Sequence, residues 1–156
     1  MMFKRTVLLA AILMATSTAD AASNQIRIQV RIMQGDPLGS VEAKSVKLLA
    51  APVVQTLEKR EAWIITGSEE VIANETVLMG HKVCVVSEVL ADGRIRVQVK
   101  LEHRRKLDAA NNAHDLELTQ RIYTRTVAEG ETLRLPFGPL NANATWVELN
   151  VRRALP

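Results

Sequence analysis

The sequence predicts an all-β or β-dominated α+β domain of eight or nine short strands, antiparallel or mixed, with at most one short helix. Three observations predict it. Apolar and polar residues alternate with period two over several stretches, those stretches are rich in Val, Ile and Thr, and Gly, Pro, Asn and Asp gather between them.

Met1 to Ala21 reads as an export signal. Lys4 and Arg5 make a basic start, Val7 to Ala15 an apolar run, and Ala19-Asp20-Ala21 closes with small residues where a signal peptidase requires them. Cleavage after Ala21 leaves residues 22–156 as a single β-domain. Within it, Ile26, Ile28, Val30 and Ile32 alternate with Arg27, Gln29 and Arg31, the pattern of a half-buried strand. Gln34 to Ser40 holds Gly35, Asp36, Pro37 and Gly39 and forms a turn or loop. Val41 to Ala51 is either one short helix or an irregular lead into a strand. Pro52 limits any helix there, and Val53 to Leu57 is extended. Ala62 to Thr66 is a short strand ended by Gly67, and the charged Glu58-Lys59-Arg60-Glu61 before it fits a hairpin turn in solvent.

The clearest hairpin follows. Met79 to Leu90 is a long strand, Ala91-Asp92-Gly93 turns the chain, and Arg94 to His103 returns with Ile95, Val97, Val99 and Leu101 inward. Arg104 to Asp115 is polar and reads as a flexible loop, whereas Leu116 to Val127 alternates again as a strand. Ala128 to Glu131 is a turn, Thr132 to Leu135 a short strand, Pro136 to Ala144 a loop, and Trp146 to Val151 the closing strand.

Composition narrows the function. With 156 residues, 47% apolar and 24% charged, the chain can close one core. A formal charge of +3 and a content of two Trp, one Tyr and two Phe disfavour nucleic-acid binding. No transmembrane helix is expected after signal cleavage, and membrane association is left open. Cys84 stands alone among valines, so no internal disulfide forms and the thiol reads as a small buried hydrophobe. Trp63 and Trp146 read as core anchors.

No residue set nominates a reaction. His81, His103 and His114 lack a metal-ligand spacing, and Glu69, Glu70, Glu129 and Glu131 are turn carboxylates. Nucleophile elbow, phosphate loop and metalloprotease helix are all missing from the sequence. Neither enzymatic activity nor a cofactor or metal is therefore expected. His103-Arg104-Arg105-Lys106 is the one concentrated positive patch. It is either a solvated loop or a contact for acidic lipid headgroups or an acidic partner.

Three segments, in order, resemble the core domain of secretins, the ring-forming outer-membrane channels of bacterial type II and type III secretion systems. Leu49-Ala50-Ala51-Pro52, then Thr56-Leu57, Ala62, Ile65 and Gly67, is similar to the family's apolar, small, small, Pro signature and the strands after it. Gly80, Val83, Val85, Val89, Asp92 and Gly93 resemble the strand that runs from a Gly into an Asp-Gly turn. Thr124-Arg125-Thr126-Val127 leading to Glu129-Gly130-Glu131-Thr132-Leu133 resembles the Thr-x-Val strand and its Gly-Glu-Thr turn. Departures accompany the matches. Ser87 stands where the family usually has Pro, and the short span between Gly67 and Gly80 leaves no room for long gate or membrane hairpins.

The resemblance implies a shortened, stand-alone secretin-like core: an exported, non-catalytic protein of the periplasm or outer membrane that acts by protein–protein association. Its partners would be copies of itself or another envelope protein, joined by edge-strand pairing. The alternative is a periplasmic hydrolase or small-ligand-binding β-sandwich protein, with a pocket gathered around His81, His114 or Trp146.

Overall fold

The computed structural model describes residues 6–7, 25–36, 46–72, 74–106, 116–139 and 144–154. The expected signal segment apart from Thr6 and Val7, residues 37–40 and 140–143 of the expected loops at Gln34–Ser40 and Pro136–Ala144, and residues 107–115 of the expected loop at Arg104–Asp115, His114 included, lie outside these residues. The strands are β1 (Thr6–Val7), β2 (Gln25–Gly35), β3 (Lys47–Ala50), β4 (Val53–Leu57), β5 (Glu61–Ile72), β6 (Glu75–Val89), β7 (Ile95–Lys106), β8 (Leu116–Val127), β9 (Thr132–Pro136) and β10 (Ala144–Arg153). Every pairing is antiparallel. Sheet A runs β1-β5-β6-β7-β8. Sheet B runs β3-β2-β10-β9, with β4 also against β2. Among the described residues there is no helix, so the all-β expectation holds and its mixed-sheet variant does not.

Period-two alternation builds the core. On β2, Ile26, Ile28, Val30 and Ile32 are fully buried while Arg27, Gln29 and Arg31 face solvent. Val147, Leu149 and Val151 of β10 extend that face. Val83 and Val85 of β6 and Ile95, Val97, Val99 and Leu101 of β7 meet it from sheet A. Ile28→Ala is expected to cost about 3 kcal/mol by leaving a cavity between the sheets, while Arg27→Ala, one residue away on the exposed face, stays within about 0.5 kcal/mol. Urea denaturation of the two variants checks the pair.

Four local expectations change. Val41–Ala51 is no helix in its described part. Lys47–Ala50 is β3, lying along the same side of β2 as β4. Pro52 separates the two because it has no N–H to give the ladder, and its carbonyl takes the Val30 N–H at 3.0 Å. Second, Glu58-Lys59-Arg60 is not a hairpin turn: it carries the chain from sheet B into sheet A. The crossing is fastened to β6, with Lys59 N–H on the Ser87 carbonyl at 2.7 Å and Val89 N–H on Glu58 Oε1 at 2.9 Å. Third, β5 does not stop at Gly67 but continues to Ile72, paired with β6 throughout. Finally, Arg104-Arg105-Lys106 is strand and not loop. β7 stays in register with β8 to its last residue, Lys106 opposite Leu116.

The single cysteine and the two tryptophans differ in outcome. Cys84 is buried, and burial pushes its thiol pKa up to about 11, which keeps it protonated and unreactive. Trp146 is buried. Trp63 is not a core anchor: half-buried, it donates from Nε1 to Glu61 at 2.9 Å and lies beneath Lys82 Nζ at 4.8 Å.

Candidate functional site

Of the residues singled out by sequence, Gly67 and Gly80 stand directly opposite each other as Cα partners on β5 and β6. The two backbones approach so closely that a Cβ on Gly67 would lie 1.9 Å from the Met79 carbonyl oxygen, and one on Gly80 would lie 2.3 Å from that of Thr66. Gly80 also has φ of 139°, which side chains rarely adopt. This crossing is where β7 stops following β6, at the pair Gly80–Arg104. Beyond it β5 and β6 continue as an arm, Ser68–Ile72 against Glu75–Met79, which β1 joins at Ser68 alone.

The other motif residues are strand packers and turn holders. Ala62 is buried in the core, and Leu49 packs against it. Asp92 fastens the β6–β7 turn by accepting the Arg94 N–H at 3.0 Å and its Nε at 2.7 Å, contacts that hold its carboxyl below the usual range. Gly93 N–H closes the same turn on the Leu90 carbonyl. In the β8–β9 turn, Glu131 N–H reaches the Ala128 carbonyl at 3.1 Å while its carboxylate takes the Ala128 N–H at 2.9 Å. Gly130 N–H donates to the Val151 carbonyl, and Asn150 Nδ2 bonds the Gly130 carbonyl and approaches Thr132 Oγ1. Arg153 clasps Glu129 through its backbone N–H, Nε and Nη2, depressing that carboxyl too. These contacts tie the turn to the last strand.

The four residues of the expected patch have different surroundings. Arg105 is paired with Glu117, Lys106 with Glu70 at the base of the arm, and Arg104 is half-buried opposite Gly80. His103 turns to the inner side of sheet A and stacks on His81, with ring centroids 4.3 Å apart and planes at 9°. Phe137, 2% exposed, meets His81 edge-on at 4.9 Å. His81 Nε2 is buried with no partner among the described residues. Burial first, then the neighbouring His103, lower the His81 pKa to about 4. Sequence reasoning missed Phe137, because it sits in a segment of Pro, Gly and Asn. A lone bulky apolar residue among turn formers was its signal. Among the described residues no group of three metal-binding side chains forms. A groove of about 240 Å³ lies elsewhere, on the outer face of sheet B, lined by Gln29, Arg31, Thr132, Glu148, Asn150 and Arg152.

The edges of sheet A complete the picture. β8 has β7 on one side and, among the described residues, no strand on the other. Leu118 and Ile122 on it are 54% and 62% exposed. No lysine, proline or register shift interrupts it. At the opposite edge, β1 pairs β5 only at Gly67 and Ser68.

No protein-family profile matches the chain, and no curated protein does. Solved structures share its fold. The secretin InvG of the Salmonella SPI-1 type III secretion injectisome has a TM-score of 0.54 at 12% identity, covering 88% of this chain and 66% of that one. A chain of the Salmonella injectisome basal body, built of InvG, PrgH and PrgK, gives 0.54 and 12%, covering 88% and 47%. The InvG secretin-domain β-barrel gives 0.52 and 13%, covering 88% and 65%. The chain thus spans less than two thirds of the chains it matches, and what it shares with them is a secretin-like fold.

Proposed function

We propose that this chain is an exported, non-catalytic envelope protein whose secretin-like domain assembles by pairing strand edges, with a second copy as its first partner. The observation that carries the reading is the edge of β8, twelve residues long and unpaired among the described residues, with apolar side chains beside it. Such an edge presents a row of backbone N–H and C=O groups that another strand can satisfy, and natural proteins usually blunt it. Sheet A offers a complementary edge on β5, covered by β1 at Gly67 and Ser68 alone, and β1 lies in the segment expected to be cleaved, so one copy can present β8 to the β5 of the next. An interface of that kind is head-to-tail and repeats around a ring when the rotation closes. The fold shared with an injectisome secretin supports the same reading, and so do the matching segments from Leu49 to Thr132.

The test is the mass of the protein recovered from the cell envelope, by light scattering, with its mature N terminus sequenced. Oligomers beginning near Ala22 are expected. The Leu118→Lys/Ile122→Lys variant, which places charge along the edge, is expected to lower self-association by at least about tenfold with its melting temperature little changed. A wild-type protein that stays monomeric at all concentrations, with no envelope partner on crosslinking, overturns the reading.

A further inference from the structure

Charge is distributed unevenly between the two ends of this molecule. From Glu61 to His81 the sequence contains Glu61, Glu69, Glu70 and Glu75 and not one Lys or Arg. In the arm beyond Gly80, Glu70 is engaged by Lys106, whereas Glu69 and Glu75 are exposed. Val71, 74% exposed, shares the Glu69 face of the arm, and Glu75, opposite Ile72, lies on the other face.

The outer face of sheet B is the opposite. Arg27 and Arg152 are exposed and stand directly opposite each other as Cα partners on β2 and β10, where like charges disfavour the pair. Arg31 and Arg134 flank the next carboxylate, Glu148, at 3.2 and 3.1 Å. Glu129 is taken by Arg153. The face therefore holds more guanidinium than carboxylate, and its groove of about 240 Å³ between Arg31, Glu148, Asn150 and Arg152 is large enough for one side chain to enter. A sheet that sets two arginines face to face gains when an anion is placed between them.

We propose that the acidic β5–β6 arm of one copy seats tip first on the arginine face of sheet B of another, with Glu69 and Glu75 reaching Arg27 and Arg152 from the two faces of the arm. The proposal rests on the self-association reading and adds a second contact, driven by charge, to edge pairing. Both halves of it are present once on every chain, so the contact is head-to-tail.

The experiment uses two charge-reversed forms of the full chain, Glu69→Arg/Glu75→Arg and Arg27→Glu/Arg152→Glu, each checked for an unchanged β-sheet spectrum and melting temperature. Alone, each form sets like charges against each other in this contact, and self-association is expected to fall at least about tenfold. Mixed in equal amounts, the reversed arm of one meets the reversed face of the other and the native arm meets the native face, so assembly is restored. Added salt weakens wild type and mixture alike. If both variants assemble like wild type, the arm contact is wrong and edge pairing stands. A monomeric wild type overturns both. If the variants fail alone and mixing does not rescue them, the face serves another anion and the proposal falls. It falls equally if wild type, and not Arg27→Glu/Arg152→Glu, binds phosphatidylglycerol vesicles while assembly is unchanged.

Discussion

Replacing Gly80 by alanine is expected to destabilise the protein by about 3 kcal/mol or more, the range reached when a buried contact is overfilled and cannot relax. The added Cβ would sit 2.3 Å from the Thr66 carbonyl oxygen and 2.6 Å from the Gly67 Cα, both backbone atoms that no rotamer change can move. Strand β5 must then retreat from β6 at the one crossing that supports the arm. Gly67→Ala is expected to match it, since its Cβ meets the Met79 carbonyl oxygen at 1.9 Å. Gly138→Ala is the control, because nothing lies within 4 Å of the position its Cβ would occupy. For a domain of this size the two crossing variants should melt about 10 °C below wild type or lower. Thermal unfolding followed by circular dichroism measures it. A Gly80→Ala protein melting within 2 °C of wild type contradicts so close a crossing.

Acidification gives the second large effect. His81 titrates at 6.5 when unfolded and at about 4 when folded. Between those values the unfolded chain binds more protons, so the stability carried by neutral His81 is complete above 6.5 and is lost as pH falls toward 4. A shift of that size corresponds to about 3 kcal/mol. The groups around the ring fix the sign. His103 is stacked on it and is itself lowered by burial and by Arg105. Thr66 is opposite on β5, and Phe137 closes the side toward sheet B without a carboxylate. The Arg105–Glu117 pair lies one row beyond, and Arg121 donates to the Phe137 carbonyl. Asp92, Glu102 and Glu129 are depressed below their ordinary values of 3.8, 4.5 and 4.5, so what they contribute is lost at still lower pH. The window from 6.5 to 4.5 therefore belongs to the histidines. Urea midpoints at pH 7, 5.5 and 4.5 should fall in wild type and fall much less in His81→Phe, which keeps a ring in the stack. Equal slopes in the two proteins would assign the acid sensitivity elsewhere.

Strands β6 and β7 were legible because β-branched residues recur at every second position and the Asp92-Gly93 turn fixes where the hairpin folds. That turn also sets the histidine pair: counting back from Val89 opposite Ile95 brings His81 opposite His103, so the register follows from the turn. The end of β5 was less so. Gly67 looks like a stop in one dimension, and its use as a crossing point depends on Gly80 across the ladder. Arg104 to Lys106 looked like a loop because charge runs usually are, whereas here Glu117 and Glu70 sit close enough to neutralise two of the three. Which strands share a sheet was not readable at all. The same charged turn suits a hairpin or a crossing between layers, and the choice belongs to packing. Of the candidate site, the glycines were named and their purpose was not. The arginine face was invisible because β2 and β10 supply it from opposite ends of the sequence.

That pairing of β2 with β10 also governs when the domain can form. β10 lies in the middle of sheet B, between β2 and β9, yet of the described strands it is the last in chain order. Until it arrives, β2 and β9 have no common neighbour and the valines and isoleucines of β2 have no complete layer to pack in. Contacts between such distant segments carry a large loop-closure cost before they return any stabilisation, which makes folding slow. Sheet B of a chain with this order closes only after β10 has left the ribosome, however early β2 was made.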